Sequence, residues 1–369
     1  MNWKTLALCS AMAGIGMVGC GTTAATPDSG MNPGTDANTQ TDANTPAQTV
    51  AYVIGAINTD GDPDATGTLA YGFDLDGMMD GPAGTCQDAA DYMSPVTGDT
   101  AVDNQLVNAL GLLGSQLGAD GADGAIRDQI EAGKILLILE VSDINSFTDD
   151  SSVQVRAVLG QVQPDGPSCH THTAEADCTG DTANACEWTA AASGTGGTCA
   201  TTTPPTASAA CAAITDPATC SGDQAHACNW SDTNSACSGI EAGQTFAVLQ
   251  QLDSVTGSIA GGRLTAVTSM LPLHFEASGM AIDLVLREVH FGGRISATGI
   301  TGGEFGAKVL VDDIVTLATN LGLPNITRET IEGVVPPDLD PQTADPTVCD
   351  SISAGMGFAA ITATLAPAN

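Results

Sequence analysis

Short apolar runs and strict alternation, rather than long helical stripes, dominate the pattern of this chain. Ala51-Tyr-Val-Ile-Gly-Ala-Ile57 opens the ordered part and reads as a strand by its β-branched and aromatic content. A second short strand is expected near 69–75. The run at 134–141 reads as a buried strand, and 152–159 alternates as a half-exposed one. Further strands are expected at 244–249, 263–267, 271–275 and 280–291. The last carries Ile282, Leu284 and Leu286 on one face, then changes phase at Val289 and Phe291, which a bulge explains. Gly292-Gly293 reads as a turn into a strand at 294–298, and 358–365 as a terminal strand. Helical spacing appears at 102–117, with Asp99, Thr100 or Asp103 available as a cap, at 125–132 and at 309–321. The expected fold is mainly β, a sandwich or curved sheet with two to four short helices.

One stretch follows neither period. Residues 169–237 contain a duplication in which Cys169, Cys178, Cys186 and Trp188 recur 42 positions later as Cys211, Cys220, Cys228 and Trp230. The matched cores are Cys178-Thr-Gly-Asp-Thr-Ala-Asn-Ala-Cys186-Glu-Trp and Cys220-Ser-Gly-Asp-Gln-Ala-His-Ala-Cys228-Asn-Trp; Cys199 and Cys237 close the two copies. Units this small cannot assemble an apolar core, so cross-links must substitute, with each Trp lying against its sulfurs. Four cysteines allow three pairings, and spacing does not choose among them. The stretch lies between two strands that can pair, 153–162 and 244–249, and reads as an insertion at the tip of a hairpin.

The 12 cysteines gain meaning from the N-terminus. Lys4 precedes an apolar run too short to span a bilayer, and Met17-Val18-Gly19-Cys20 ends it. This resembles the signal peptide and lipobox of bacterial lipoproteins, with Met17 where leucine is usual; the resemblance covers residues 1–20. It implies cleavage before Cys20, attachment of a diacylglycerol to its thiol and acylation of its new amine. The alternative is an ordinary secretory peptide with an incidental cysteine. Gly21 in place of a retention aspartate implies the outer membrane of a two-membrane bacterium. Setting aside Cys9 and Cys20, ten cysteines remain, the number for five disulfides in an exported chain. Cys86 and Cys349 are then left to each other, closing a very long loop worth about 5 kcal/mol at most in the loop-entropy picture. The domain plan is a signal peptide at 1–19, a Thr/Asn/Asp/Pro tether at 20–49 that cannot order itself, one discontinuous β-rich domain from 50–166 and 240–369, and the insertion at 167–239 with units 169–199 and 211–237.

Charge and chemistry narrow the partners. The chain has 9 Lys+Arg against 43 Asp+Glu, a net charge of −34, which repels nucleic acid and bare anionic lipid surfaces. Asp60, Asp62 and Asp64 have the alternate spacing of a calcium loop and form a weak Ca2+ candidate. Ala65 and Tyr71 stand where such a loop needs its glycine and bidentate glutamate, so an acidic turn is favoured. His170, His172 and His226 beside the cysteines raise zinc as a competing reading. No Cys-x-x-Cys occurs, and Ala212, Ile214 and Asn184 replace these histidines in the other copy, which weighs against it. No Gly-x-Ser-x-Gly, His-Glu-x-x-His or phosphate loop is present, and His274 and His290 read as structural. No catalytic residues and no cofactor are expected. The reading is a lipid-anchored envelope protein with a structural role or a protein or glycan partner. The alternatives are a periplasmic carrier of an apolar ligand, which needs a cavity of several hundred Å3, and a secreted hydrolase.

Overall fold

The computed structural model describes residues 47–59, 67–75, 91–106, 120–162, 169, 172–190, 197–201, 203–277, 280–320, 325–338 and 349–366. Cys20, Cys86, His170 and Asp60, Asp62 and Asp64 lie outside the described residues. Pro46–Asn369 forms one compact unit.

The mainly β expectation holds, and the curved sheet closes on itself. Eight antiparallel strands form a ring in sequence order: β1 (Gln48–Asn58), β2 (Leu136–Ile144), β3 (Asp150–Val162), β9 (Val255–Ala260), β10 (Arg263–Ala277), β11 (Met280–Ile295), β12 (Gly299–Leu310) and β13 (Ser351–Leu365). The β1–β13 pairing closes the seam, with Ala51 opposite Ala363 and Ile57 opposite Phe358. Each strand of the ring has a neighbour on both sides, as in up-and-down barrels, but the β10–β11 hairpin runs on past the ring: β9 pairs with β10 only over Arg263–Ala266, and β12 with β11 only from Arg287 to Ile295.

Period-two alternation assigns the faces. One buried cluster collects Tyr52 and Ile54 from β1, Leu137, Leu139 and Val141 from β2, Val153 and Val155 from β3, and Ile259 from β9. It continues with Leu264 and Ala266, Leu286 and Phe291, Phe305 and Ala307, and Met356 and Phe358 from the next four strands. These residues line the barrel interior, which an eight-stranded barrel can pack with side chains. Tyr52 is fully buried there and donates its hydroxyl hydrogen to Ser296 O at 2.7 Å; burial holds its phenol well above the usual range. Outward positions include Gln154, Arg156, Thr256 and Ser258, with Arg156 ion-paired to Glu140 and Gln154 bonded to Thr256. Over β3 and β9 the wall is therefore apolar inside and polar outside, while Val267 and Met270 of β10 are exposed. No helix among the described residues is long and apolar enough to cross a membrane.

Three sequence expectations change. The strands expected at 263–267 and 271–275 are one, β10. Gly292-Gly293 is no turn: β11 runs through it, with Gly292 opposite both Thr265 and Glu304. The glycines provide close approach instead, since a Cβ would lie 2.9 Å from Phe73 Cζ at Gly292 and 2.5 Å from Ile300 Cγ2 at Gly293. The start of the helix expected at 102–117 is extended. Val102 and Asp103 form bridges with Tyr92 and Phe73, helical geometry begins at Leu106, and 107–119 lie outside the described residues. Polar side chains explain this: Asp103 accepts from Leu75 N at 2.6 Å, and buried Asn104 donates to Tyr71 O and Gly355 O. The bulge in β11 is present, with a register shift between Arg287 and His290 and Glu288 at φ 47°.

The paired strands flanking the insertion are β3 and β8 (Thr245–Gln251), antiparallel with Val162 opposite Phe246. β8 stands outside the ring and also pairs in parallel with the end of β13. On the outer face of the barrel, Val53, Ile138, Val158 and Ile361 pack with Phe246, with Ile130 of helix α1 (Gly121–Glu131) and with Ala227 and Ile240. This second apolar cluster is the mount for the cysteine units.

Candidate functional site: the duplicated cysteine units

Each unit folds by the same local rules. A helical turn carries the second cysteine: α2 (Glu175–Gly180) in unit 1 and, after the short turn α3 (Ala209–Ala212), α4 (Pro217–Gly222) in unit 2. Asp216 caps α4 by accepting from Ala218 N and Thr219 N, and Pro217 supplies a preset φ at the first position. The chain then turns through a left-handed alanine, Ala185 at φ 48° and Ala227 at φ 50°, directly before the third cysteine. A two-stranded hairpin follows, β4 (Cys186–Ala190) with β5 (Gly197–Thr201), or β6 (Asn229–Ser231) with β7 (Ala236–Ser238). In both hairpins the Trp lies opposite the closing cysteine, Trp188 with Cys199 and Trp230 with Cys237. Both Trp residues pack against the sulfurs.

The cross-links choose the interlaced pairing in each copy: Cys169–Cys186 with Cys178–Cys199, and Cys211–Cys228 with Cys220–Cys237. Loops of this size are each worth about 3 kcal/mol of loop entropy, which offsets the missing apolar core. Cys349 is also disulfide-bonded, and because all eight unit cysteines bond among themselves its partner is none of them.

Unit 2 is fastened to the barrel. Asn229 Nδ2 donates to Gly55 O of β1 at 2.8 Å, and Gly302 N donates to Gln224 Oε1 at 2.6 Å. A Cβ at Gly55 would sit 3.0 Å from Ala227 Cβ. The fastening centres on Arg127 of α1, which is 5% exposed. Its guanidinium donates to Trp230 O at 3.0 Å and to Asp120 Oδ2 at 2.8 Å. Asp120 also accepts from Ser231 Oγ, Thr233 N and Thr233 Oγ1 at 2.8–2.9 Å. Burial opposes ionisation of Asp120, but the bonds from Arg127, Thr233 and Ser231 prevail and hold its carboxyl well below the usual range. Asp123 of the same helix accepts from Thr59 N and Thr59 Oγ1, tying α1 to the end of β1.

Unit 1 keeps the matching face open: Thr182 and Glu187, which correspond to Gln224 and Asn229, are exposed. The units also differ at their histidines. His172 Nε2 lies 3.0 Å from Asp181 Oδ2, whereas His226 Nδ1 lies 2.8 Å from Asp223 Oδ2. Bonds from Asn184 and then from His172 lower the Asp181 carboxyl. With every sulfur of the units in a disulfide, no thiolate is present to hold zinc as a structural centre.

Two other predicted residues lie on the β10–β11 pair. His274 sits opposite Asp283 in the β10–β11 register. His290 is half-buried, its ring 5.6 Å from Phe73, and burial lowers its pKa. Glu288, at the bulge, pairs with Lys308 at 2.6 Å. A cavity of about 130 Å3 lies where β1, β13, α1 and unit 2 meet, lined by Ile57, Arg127, Gln224, Trp230 and Phe358 among others; drug-sized ligands need roughly 300–1,000 Å3. Sequence reasoning missed Asp120, Arg127 and the buried Glu304. A signal existed for Arg127, a lone cation between Ile126 and Ile130 on an otherwise amphipathic helix. No protein-family model matches the chain, no curated protein is matched by its sequence, and no solved structure is matched by its fold.

Proposed function

We propose that this is a lipid-anchored cell-envelope protein, held through Cys20 on the 20–49 tether in an outer membrane, whose barrel is a rigid mount presenting the cysteine units to a protein or glycan partner. The observation that carries this reading is the contrast between the two units. Unit 2 uses its Gln224, Ala227 and Asn229 face to grip the barrel, while unit 1 exposes the same face at Thr182 and Glu187. The buried apolar cluster that lines the barrel supports it, as the core of a rigid mount. The polar outward residues of β3 and β9 are in keeping with attachment by lipid.

Two measurements test the proposal. Intact mass of membrane-extracted protein, with and without reductant, should show a chain beginning at acylated Cys20 and bridged cysteines; an uncut leader, or free thiols at cysteines other than Cys169 and Cys186, would remove the envelope assignment. A photo-cross-linking residue placed at Thr182 or Glu187 of the full chain in cells should give a discrete adduct, and the same residue at Gln154 should not. Equal labelling at all three positions would count against unit 1 as the binding face.

A further inference from the structure

We propose that the Cys169–Cys186 bridge of unit 1 is a thiol–disulfide exchange site that accepts electrons from a dithiol partner. The geometry is a cysteine–histidine–aspartate cluster. One ring nitrogen of His172, a carboxylate oxygen of Asp181 and Cys186 Sγ all lie within 4.8 Å of one another, and His172 Nε2 is 3.0 Å from Asp181 Oδ2. Burial is unequal across the bridge: Cys169 is fully buried, while Cys186 is half-buried. Cys199 Sγ also lies within 4.8 Å of both sulfurs, so the neighbouring bridge is within reach of exchange.

The duplication supplies an internal control. Unit 2 builds the same interlaced framework with Ile214 in place of His172, packed against its cysteines, and its Cys228 is 5% exposed. The framework therefore does not require an imidazole at this position. His172 is an addition beside the less buried cysteine of the pair, on an Asp181 that fixes its ring.

The chemistry balances with a dithiol as the reductant. One partner thiol gives its proton to His172 and attacks Cys186 Sγ. The Cys169–Cys186 bond breaks with its electron pair on Cys169 Sγ, leaving a mixed disulfide between Cys186 and the partner. The partner's second thiol then attacks its own sulfur in that mixed disulfide. Cys186 leaves as a thiolate beside the protonated imidazole, which returns the proton. The partner becomes a disulfide, and Cys169 and Cys186 become thiols once the second partner proton reaches Cys169. This site is independent of the partner-binding reading above.

The test uses the oxidised full-length protein with dithiothreitol as the dithiol, quenched over time, with opening of each bridge read by differential alkylation and peptide mass spectrometry. Cys169–Cys186 should open roughly tenfold faster than Cys211–Cys228. H172I, which installs the residue unit 2 carries, should remove that advantage, and I214H should speed opening of Cys211–Cys228. Equal opening of the two bridges in the unmodified protein overturns the proposal, because exposure and imidazole then confer nothing. An H172I protein that keeps its near-ultraviolet dichroism and opens as fast as the unmodified one overturns it also. If H172I does not fold, I214H decides: no acceleration at Cys211–Cys228 refutes the role of the imidazole.

Discussion

Removing the Arg127 side chain should release unit 2 from the barrel without dismantling either. In R127A, Asp120, about nine-tenths buried in the intact protein, loses the cation at 2.8 Å, and Trp230 O loses its donor at 3.0 Å. Breaking a buried ion pair from one side costs about 3–5 kcal/mol, and the lower end applies because Ser231 and Thr233 still bond the carboxylate. With an unfolding entropy of roughly 2.1 cal/mol/K per residue, a cooperative unit the size of Pro46–Asn369 would lose about 4 °C in Tm for 3 kcal/mol. The more specific readout is local. Hydrogen exchange should rise in 53–57 of β1 and in 224–233 of unit 2, while the interior positions of β10 to β12 stay protected. In a double-mutant cycle with D120A, the second change should cost at least about 1 kcal/mol less in R127A than alone. An R127A protein within about 0.5 kcal/mol of the unmodified one, with unchanged exchange at β1, would show that the ion pair is incidental to the mount.

Other features lead to further predictions. Glu304 is 1% exposed and its pKa is raised by burial, against the opposing bonds from Ser94 at 2.5 Å and Arg263 at 2.8 Å. The unfolded chain therefore ionises first, so stability should fall as pH rises from about 4.3 through the folded value; E304Q should flatten that segment of a denaturation-versus-pH curve, and an unchanged slope would refute it. Asp120 acts in the opposite sense: its folded pKa is lowered, so its contribution is complete above about pH 4 and is lost on acidification below that, a loss D120N should not show in the same titration. At Gly355 a Cβ would fall 2.0 Å from Tyr71 O, so G355A should displace the 69–75 strap and cost on the order of 2 kcal/mol in urea denaturation; a cost under about 0.5 kcal/mol would show the strap to be pliable.

The sequence exposed the strands well because alternation tracks burial when one face meets a core and the other meets water. It also exposed the β11 phase change, since a bulge leaves its mark on the hydrophobic register. Glycine is ambiguous in a sequence. Gly292-Gly293 looked like a turn because a missing side chain permits bending, but here it permits Phe73 and Ile300 to press against the strand, and only the tertiary neighbour tells the two uses apart. The extended backbone at Val102 and Asp103 was hidden by apolar residues at helical spacing, because side chains of Asp103 and Asn104 claim distant backbone groups. The duplicated cysteines were plain in the sequence. Their interlaced pairing was not, because three pairings fit the same spacing, and neither was the difference in how the two copies are mounted, which depends on residues far outside them.

The seam of the ring has a consequence for how the polypeptide reaches its final form. Ala51 meets Ala363 and Ile57 meets Phe358, so the first and last strands of the circle must find each other after everything between them has been made. The cysteine loops, each spanning 17 or 21 positions, can be knotted early and locally. The circle itself is a late, non-local event, slow in proportion to the chain it encloses. Until the 15-residue strand β13 arrives, β1 and β12 stand as two bare edges, so a chain halted before Ser351 should pair with other chains rather than with itself.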